Sequence, residues 1–177
     1  MRIIAGTHKG RHLIAPKTLP VRPTKDMAKE ALFNILNNHY YFPDLKVLDL
    51  FAGTGNISFE FASRGVEDIV AVDDHGGCIH YIDQIATKLN MGIETRKSDV
   101  FSFLAQHGTA YNVIFADPFY DMPLPDFEKL VSHVFDNHLV LEDGMLIIEH
   151  SKQTQLDHLD HFNNARKYGG SVFSFFS

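Results

Sequence analysis

The residues best equipped for chemistry are Ala116-Asp117-Pro118-Phe119-Tyr120. They follow the apolar run Tyr111-Asn112-Val113-Ile114-Phe115, so a buried strand is expected to end here and present an acid, a proline and two aromatic rings at its C-terminal edge. In an open α/β sheet that edge is where ligands bind. The Asp117 carboxylate and the Pro118 carbonyl supply two acceptors about one residue apart, and Tyr120 can lay its ring against a flat substrate. Such a set receives an aromatic amine. The exocyclic nitrogen of a nucleobase is a poor nucleophile because its lone pair is delocalised into the ring. Accepting both of its N–H bonds holds the nitrogen within reach of a methyl donor. The expected contribution is positioning and stabilisation of developing positive charge, more than strong base catalysis. Proline suits the place because its φ is fixed near about −65° and it biases the preceding residue toward extended geometry.

A second chemical element is Asp49-Leu50-Phe51-Ala52-Gly53-Thr54-Gly55-Asn56, at the turn between a predicted strand, Val47 to Leu50, and a predicted helix, Ile57 to Ala62. Glycines there allow close backbone approach to a ligand. Asp73 ends the next strand and could accept both hydroxyls of a ribose. A dinucleotide-binding turn wants a third glycine three residues on, where Ser58 stands. S-adenosylmethionine carries no pyrophosphate and needs no such cradle, so it is the cofactor expected in preference to NAD. Asp99, after a third strand, places another carboxylate on this edge. It could accept the adenine amino group or cap the following helix, and the adenine role is the one assigned.

Positioning these groups falls to elements whose order is legible. From Lys46 onward strand and helix patterns alternate, which predicts βαβ units and a parallel sheet. Further strands are expected at Ile69 to Val72, Ile93 to Arg96, Val113 to Ala116 and Met145 to Glu149, with helices at Ile79 to Leu89, Val100 to Leu104 and Phe127 to Phe135. Around Gly169-Gly170 the tail reads as an antiparallel hairpin. At the other end, Arg2 to Ala5 and Arg11 to Ile14 flank a glycine-bearing basic tip. Pro16, Pro20 and Pro23 then make a loop before an amphipathic helix that starts near Thr24.

With 177 residues, 45% hydrophobic and 21% charged, the chain fits one soluble domain, residues 1–177, with 1–22 as an N-terminal extension and 23–177 as the core. Cys78 is the only cysteine, which excludes an intrachain disulfide and points to a reducing compartment. No run approaches about 18 apolar residues and no leader is evident, so a cytoplasmic protein without a membrane partner is expected. The net charge of −6 conceals an asymmetry. Residues 1–30 carry seven Lys/Arg against Asp26 and Glu30, whereas the rest carries nine against twenty. A basic segment on an acidic body is the pattern of a phosphate-contacting arm, or of an ordinary solvated face.

Taken together, Arg2-Ile3-Ile4-Ala5-Gly6 with Lys9-Gly10-Arg11, Arg22-Pro23-Thr24 with Glu30-Ala31-Leu32-Phe33-Asn34, the glycine turn, Asp-Pro-x-Tyr, and Glu149-His150 with Tyr168-Gly169 resemble the RsmD family of bacterial 16S ribosomal RNA guanine-N2 methyltransferases. The resemblance runs nearly end to end. It implies a Rossmann-like class I methyltransferase fold, with a seven-stranded, mostly parallel sheet and an antiparallel C-terminal hairpin. It further implies S-adenosylmethionine as donor and a guanine amine in 16S rRNA, within an assembling small subunit, as acceptor, with a monomer expected. Carried over residue by residue, Asp117, Pro118 and Tyr120 form the acceptor pocket. Phe51, Gly53, Gly55, Asn56, Asp73, Asp99 and Val100 line the cofactor, together with Arg22 and Thr24 from a loop that closes over the site. Arg2, His8, Lys9 and Arg11 contact RNA. Two departures stand out. Phe119 replaces the family's second proline, which returns a backbone N–H and loosens the restraint on Pro118. Asp73 replaces a glutamate, and neighbouring Asp74 leaves the register open by one residue.

Several features are set aside. Asp157-His158-Leu159-Asp160-His161 has metal-ligand spacing but no third cluster, so no metal is expected. Cys78 reads as a packed residue, and His75 and His150 are given no role because transfer from a sulfonium needs no strong base. Rival readings are an amino methyltransferase on adenine or protein glutamine, a catalytically weak or inactive RNA-binding assembly factor, and, weakest, a dehydrogenase.

Overall fold

The computed structural model of the chain describes residues 1–20 and 26–177. Short apolar runs become β1 (Lys46–Leu50), β2 (Asp68–Asp73), β3 (Ile93–Lys97), β4 (Tyr111–Ala116) and β5 (Val140–Ser151), with β6 (Phe162–Tyr168) and β7 (Ser171–Phe176) completing the sheet. The order is β3-β2-β1-β4-β5-β7-β6. The first five are mutually parallel and the last two antiparallel, as the alternating pattern and the Gly169-Gly170 turn predict.

The helices are α1 (Asp26–His39), α2 (Asn56–Ser63), α3 (Gly76–Leu89), α4 (Val100–Gln106) and α5 (Leu124–Asp136). None is long and apolar enough to cross a membrane, among the described residues. Val100 and Leu104 of α4 and Phe127, Leu130 and Val134 of α5 pack on one sheet face with Leu50, Ile114 and Ile148. Leu32 and Phe33 of α1 and Ile57 and Phe61 of α2 cover the other with Val47, Phe115 and Ile147, and Tyr81 and Ile82 of α3 extend that layer. Because β4 returns to the far side of β1, the segments leaving β1 and β4 diverge to opposite faces. A crevice opens where they part.

Element boundaries differ from the sequence expectation where polar residues carry no apolar signal. β5 begins at Val140 rather than Met145, through the exposed stretch Leu141 to Asp143. α3 begins at Gly76, where the His75 Nδ1 accepts the Cys78 N–H at 3.3 Å. The N-terminal hairpin is short: one antiparallel bridge, Arg2 with His12, is flanked by Ile3 N–H to Arg11 O at 3.0 Å, Gly10 N–H to Ile3 O at 2.8 Å and Leu13 N–H to Met1 O at 2.9 Å.

That N-terminal segment is docked on the body rather than projecting from it. Both oxygens of buried Glu60 accept from its backbone: Oε2 from Ile4 N–H at 2.8 Å and Oε1 from Ala5 N–H at 3.1 Å. Ser63 O accepts the Thr7 N–H at 2.7 Å, and Ser63 Oγ accepts the His8 N–H at 3.0 Å. Gly6 has φ +82°, and a Cβ there would stand 1.8 Å from Ser63 O, so no other residue fits.

Lys29, counted above among the basic arm, is fully buried. Its Nζ lies 3.3 Å from Glu60 Oε2 and donates to Arg2 O at 2.7 Å and Asn56 Oδ1 at 2.8 Å. Burial depresses the Lys29 ammonium and the Glu60 charge opposes that depression. Arg64 Nε adds a second cation on Glu60 Oε1 at 2.9 Å. A buried pair adds little net stability, but removing one partner strands the other charge.

Ser58, at the place of the absent third glycine, donates its backbone N–H at 3.1 Å and its hydroxyl at 2.5 Å to Asp49 Oδ2. The serine thus binds helix to strand by hydrogen bonds where a glycine would do so by close contact. Asp49 is pushed up to about 7, first by burial and less by the Asp73 charge, with the two Ser58 hydrogen bonds opposing.

Both buried charges have measurable consequences. Lys29→Met should cost about 3 kcal/mol in urea unfolding, and a loss below about 1 kcal/mol would contradict the network. For Asp49 the folded state holds a proton that the unfolded chain releases near about 4. Its contribution is therefore complete below that pH and is lost as pH rises to about 7. Comparing melts from pH 4 to 8, Asp49→Asn should gain on wild type as pH rises; a constant difference would refute this.

Candidate active site

The crevice is a cavity of about 460 Å³, within the range of small-molecule sites. Its walls bring together Phe51, Gly53, Asn56 and Asp73 from the cofactor expectation and Asp117, Pro118 and Tyr120 from the acceptor expectation. These two groups are separated by more than forty residues in sequence. They meet because Leu50 of β1 and Ala116 of β4 are partners in register, so both strands end side by side.

Backbone geometry of the glycine turn is left-handed at three alternate residues, Phe51 (φ 57°), Gly53 (φ 53°) and Gly55 (φ 76°). A left-handed aromatic residue is a strained conformation of the kind concentrated at binding sites. The turn is fastened to β2: Ala52 N–H donates to Val72 O at 3.0 Å and Gly53 N–H to Asp73 Oδ2 at 2.8 Å. Asp73 Oδ1 accepts the His75 N–H at 2.9 Å. A carboxylate offers about four lone-pair directions, so both oxygens keep acceptor capacity while the backbone fixes their aim. The shorter acid is thereby explained, since its reach sets the turn against β2. Asp73 ends β2; Asp74 follows it in the cavity wall.

Gly55 does not line the cavity. A Cβ there would meet Ile82 at 2.9 Å and Phe59 at 3.1 Å, so helix packing by itself requires a glycine here. Asp99 and Val100 also stand off the cavity wall. Asp99 Oδ1 accepts the Ser102 N–H at 2.8 Å and caps α4, the plainer of its two sequence readings. Asn56 faces both ways: it lines the cavity, and its Oδ1 holds buried Lys29. Arg22 and Thr24 lie outside the described residues.

After β4, Pro118 is buried while Phe119 and Tyr120 are 57% and 67% exposed at the mouth. Asp117 N–H reaches back to Leu50 O at 3.3 Å, and the loop closes through Met122 N–H to Phe119 O at 3.0 Å. The Phe119 carbonyl thus anchors the turn that lacks its second proline.

Sequence reasoning overlooked the end of β5, where Glu149, His150 and Ser151 line the cavity. The Glu149-His150 pair was visible in the resemblance but received no role. His150 is buried, with Nε2 2.7 Å from Ser174 Oγ and Nδ1 2.9 Å from Ser151 O. Burial lowers its pKa, opposed by the Ser151 hydrogen bond, so it is a neutral wall group. Cys78 is a buried lining residue whose thiol burial pushes up to about 11, which leaves it unreactive. Among the described residues no group of three His, Cys, Asp or Glu is arranged to hold a metal.

Of the expected RNA contacts, Lys9 and Arg11 are exposed. Arg2 pairs with Asp26 at 3.2 Å, and His8 is half-buried against Ser63.

A family model described as Conserved hypothetical protein 95 matches residues 1–177. The ribosomal RNA small subunit methyltransferase D of Escherichia coli (strain K12) is 32% identical over 150 residues, covering 84% of this chain and 74% of that protein. A solved structure of a hypothetical protein from Thermus thermophilus shares 26% identity at a TM-score of 0.85, over 100% of this chain and 99% of that one. The fold alone is shared with a magnesium protoporphyrin IX methyltransferase from Synechocystis with bound S-adenosylmethionine, 17% identical at a TM-score of 0.65, over 84% and 76% of the two chains. With a match along its whole length and a one-third-identical relative over most of it, the chain belongs to the Conserved hypothetical protein 95 family, the RsmD family.

Proposed function

We propose that this chain transfers a methyl group from S-adenosylmethionine to the exocyclic N2 amine of a guanine in 16S ribosomal RNA. The observation that carries the reading is one cavity that reaches from the glycine turn and Asp73 to Asp117, Pro118 and Tyr120. When bound, S-adenosylmethionine supplies an electrophilic methyl group on a sulfonium sulfur. Asp73 holds the ribose hydroxyls, its carboxylate already aimed by Gly53 and His75.

Tyr120 stacks on a base splayed from its neighbours, because stacked bases shield the amine. Asp117 and the Pro118 carbonyl accept its two N–H bonds and hold the nitrogen in line. As the N–C bond forms, the C–S bond breaks and its electron pair passes to sulfur. The positive charge that develops on nitrogen faces the Asp117 carboxylate, and its proton leaves on that side. Lys9 and Arg11 meet phosphates from the docked N-terminal tip. The natural setting in this reading is a cytosolic small-subunit assembly particle on which the chain acts as a monomer.

Three variants test the division of labour. Asp117→Ala should abolish transfer with S-adenosylmethionine affinity by calorimetry nearly intact. Asp73→Asn should weaken that affinity roughly 10- to 100-fold. Parallel loss of both properties in the Asp117 variant would contradict the assignment. Replacing Lys9 and Arg11 together by alanine should reduce the slope of log affinity against log salt for rRNA by about two; an unchanged slope would remove them from the interface.

A further inference from the structure

Five carboxylates line the cavity: Asp49, Asp73, Asp74, Asp117 and Glu149. Asp49 is engaged by Ser58, and Asp73 is fastened to the glycine turn with Asp74 beside it. Glu149 is the one that accompanies Asp117. β4 and β5 are parallel and in register, with Phe115 opposite Ile147 and Ala116 opposite Ile148. The residues that follow are Asp117, just past β4 and still reaching Leu50 O through its N–H, and Glu149, within β5. Side chains alternate faces along a strand. Both acids therefore continue the face of Phe115 and Ile147, on neighbouring strands about 4.8 Å apart. His150 points to the opposite face, where its ring meets Phe127 and Ser174. Glu149 is only 8% exposed, with antiparallel partner Phe173 packed beside it. Two carboxylates side by side in one cavity wall match a ligand edge that carries adjacent donors.

Guanine presents such an edge. Its 2-amino group and ring N1–H are adjacent donors pointing the same way. Adenine offers one amine beside a bare N1 lone pair. We propose that Glu149 accepts the N1–H of the base whose amine Asp117 and Pro118 hold, and so makes the site select guanine over adenine. This inference rests on the amine-methylation reading above. It assigns specificity to a residue outside the Asp-Pro-x-Tyr element, which by itself fits any flat amine. A glutamate facing the N1 lone pair of adenine leaves an acceptor against an acceptor, and that mismatch is the source of discrimination.

The test uses full-length protein and 16S rRNA with the target guanine, mapped first by mass spectrometry, replaced through ligation by 2-aminopurine or 2,6-diaminopurine. Both analogues keep the 2-amine and exchange the ring N–H for a lone pair. They differ from each other at position 6, so equal discrimination against both excludes the 6-amine as the cause, and the Glu149 variants separate N1 from the O6 that both analogues also lack. Single-turnover kcat/KM should favour guanine over either analogue by on the order of 10²-fold in wild type. Glu149→Gln, whose carboxamide can accept or donate, should bring the ratio to within about threefold of unity while calorimetry shows S-adenosylmethionine still bound. Glu149→Asp should keep the preference at a reduced rate. Equal rates on all three bases in wild type overturn the inference whatever the variants do, as does an unchanged ratio in a Gln variant that still binds cofactor. Absence of transfer to guanine itself overturns the underlying methylation reading and is a separate result.

Discussion

The site depends on the register of three parallel strands. Leu50 pairs with Ala116 and Ala116 with Ile148, so β1 and β4 end side by side at the level of Ile148, while β5 runs on to Ser151 against β7. Just past that level stand Phe51 and Asp117, beyond the ends of β1 and β4, and Glu149, still held in β5 by its pairing with Phe173. A slip of one residue in either pairing would turn an acid into the sheet's apolar layer and an apolar residue into the cavity. Large buried side chains beneath the edge, Phe115, Ile147 and Phe173, enforce the register by packing against α1 and α2. The chemistry at the rim is therefore specified by hydrophobic contacts one step below it.

Charge burial supports this arrangement from behind. Glu60 gathers two backbone N–H groups, a lysine and an arginine in an apolar setting, and so ties the N-terminal segment and α1 to α2. Lys29 passes the tie on to Asn56 at the cavity wall. One connected set of hydrogen bonds thus runs from the Arg2 carbonyl to the wall of the crevice. On the other side of the same turn, Asp49 and Ser58 hold the start of α2 to β1. The glycine turn sits between two such fastenings, which is how its left-handed Phe51 is tolerated.

Much of this was legible in the sequence. Short apolar runs alternating with helical stripes specified the parallel sheet, and Gly169-Gly170 marked the antiparallel return. Asp117 to Tyr120 and the glycine turn were recognisable because a strand must end before them. Other features were hidden for definite reasons. Lys29 reads as one more basic residue, since its burial depends on Glu60, thirty-one positions away. Ser58 looks like a missing glycine until Asp49 is seen to receive it. The packing demand on Gly55 is invisible until Ile82 and Phe59 are seen to crowd it. Glu149 could be placed beside Asp117 only once strand order and register were known, because nothing local to β5 reports which strand lies next to it.

The central claim is that the rim of β4 and β5 presents a guanine amine to a sulfonium methyl group held over the turn after β1. Its most direct measurement is nucleoside mass spectrometry of unmodified 16S rRNA incubated with the protein and isotopically labelled S-adenosylmethionine. The account predicts label in N2-methylguanosine alone. Label in N6-methyladenosine or in a ring-nitrogen methylguanosine, or no incorporation in the presence of bound cofactor, would contradict it.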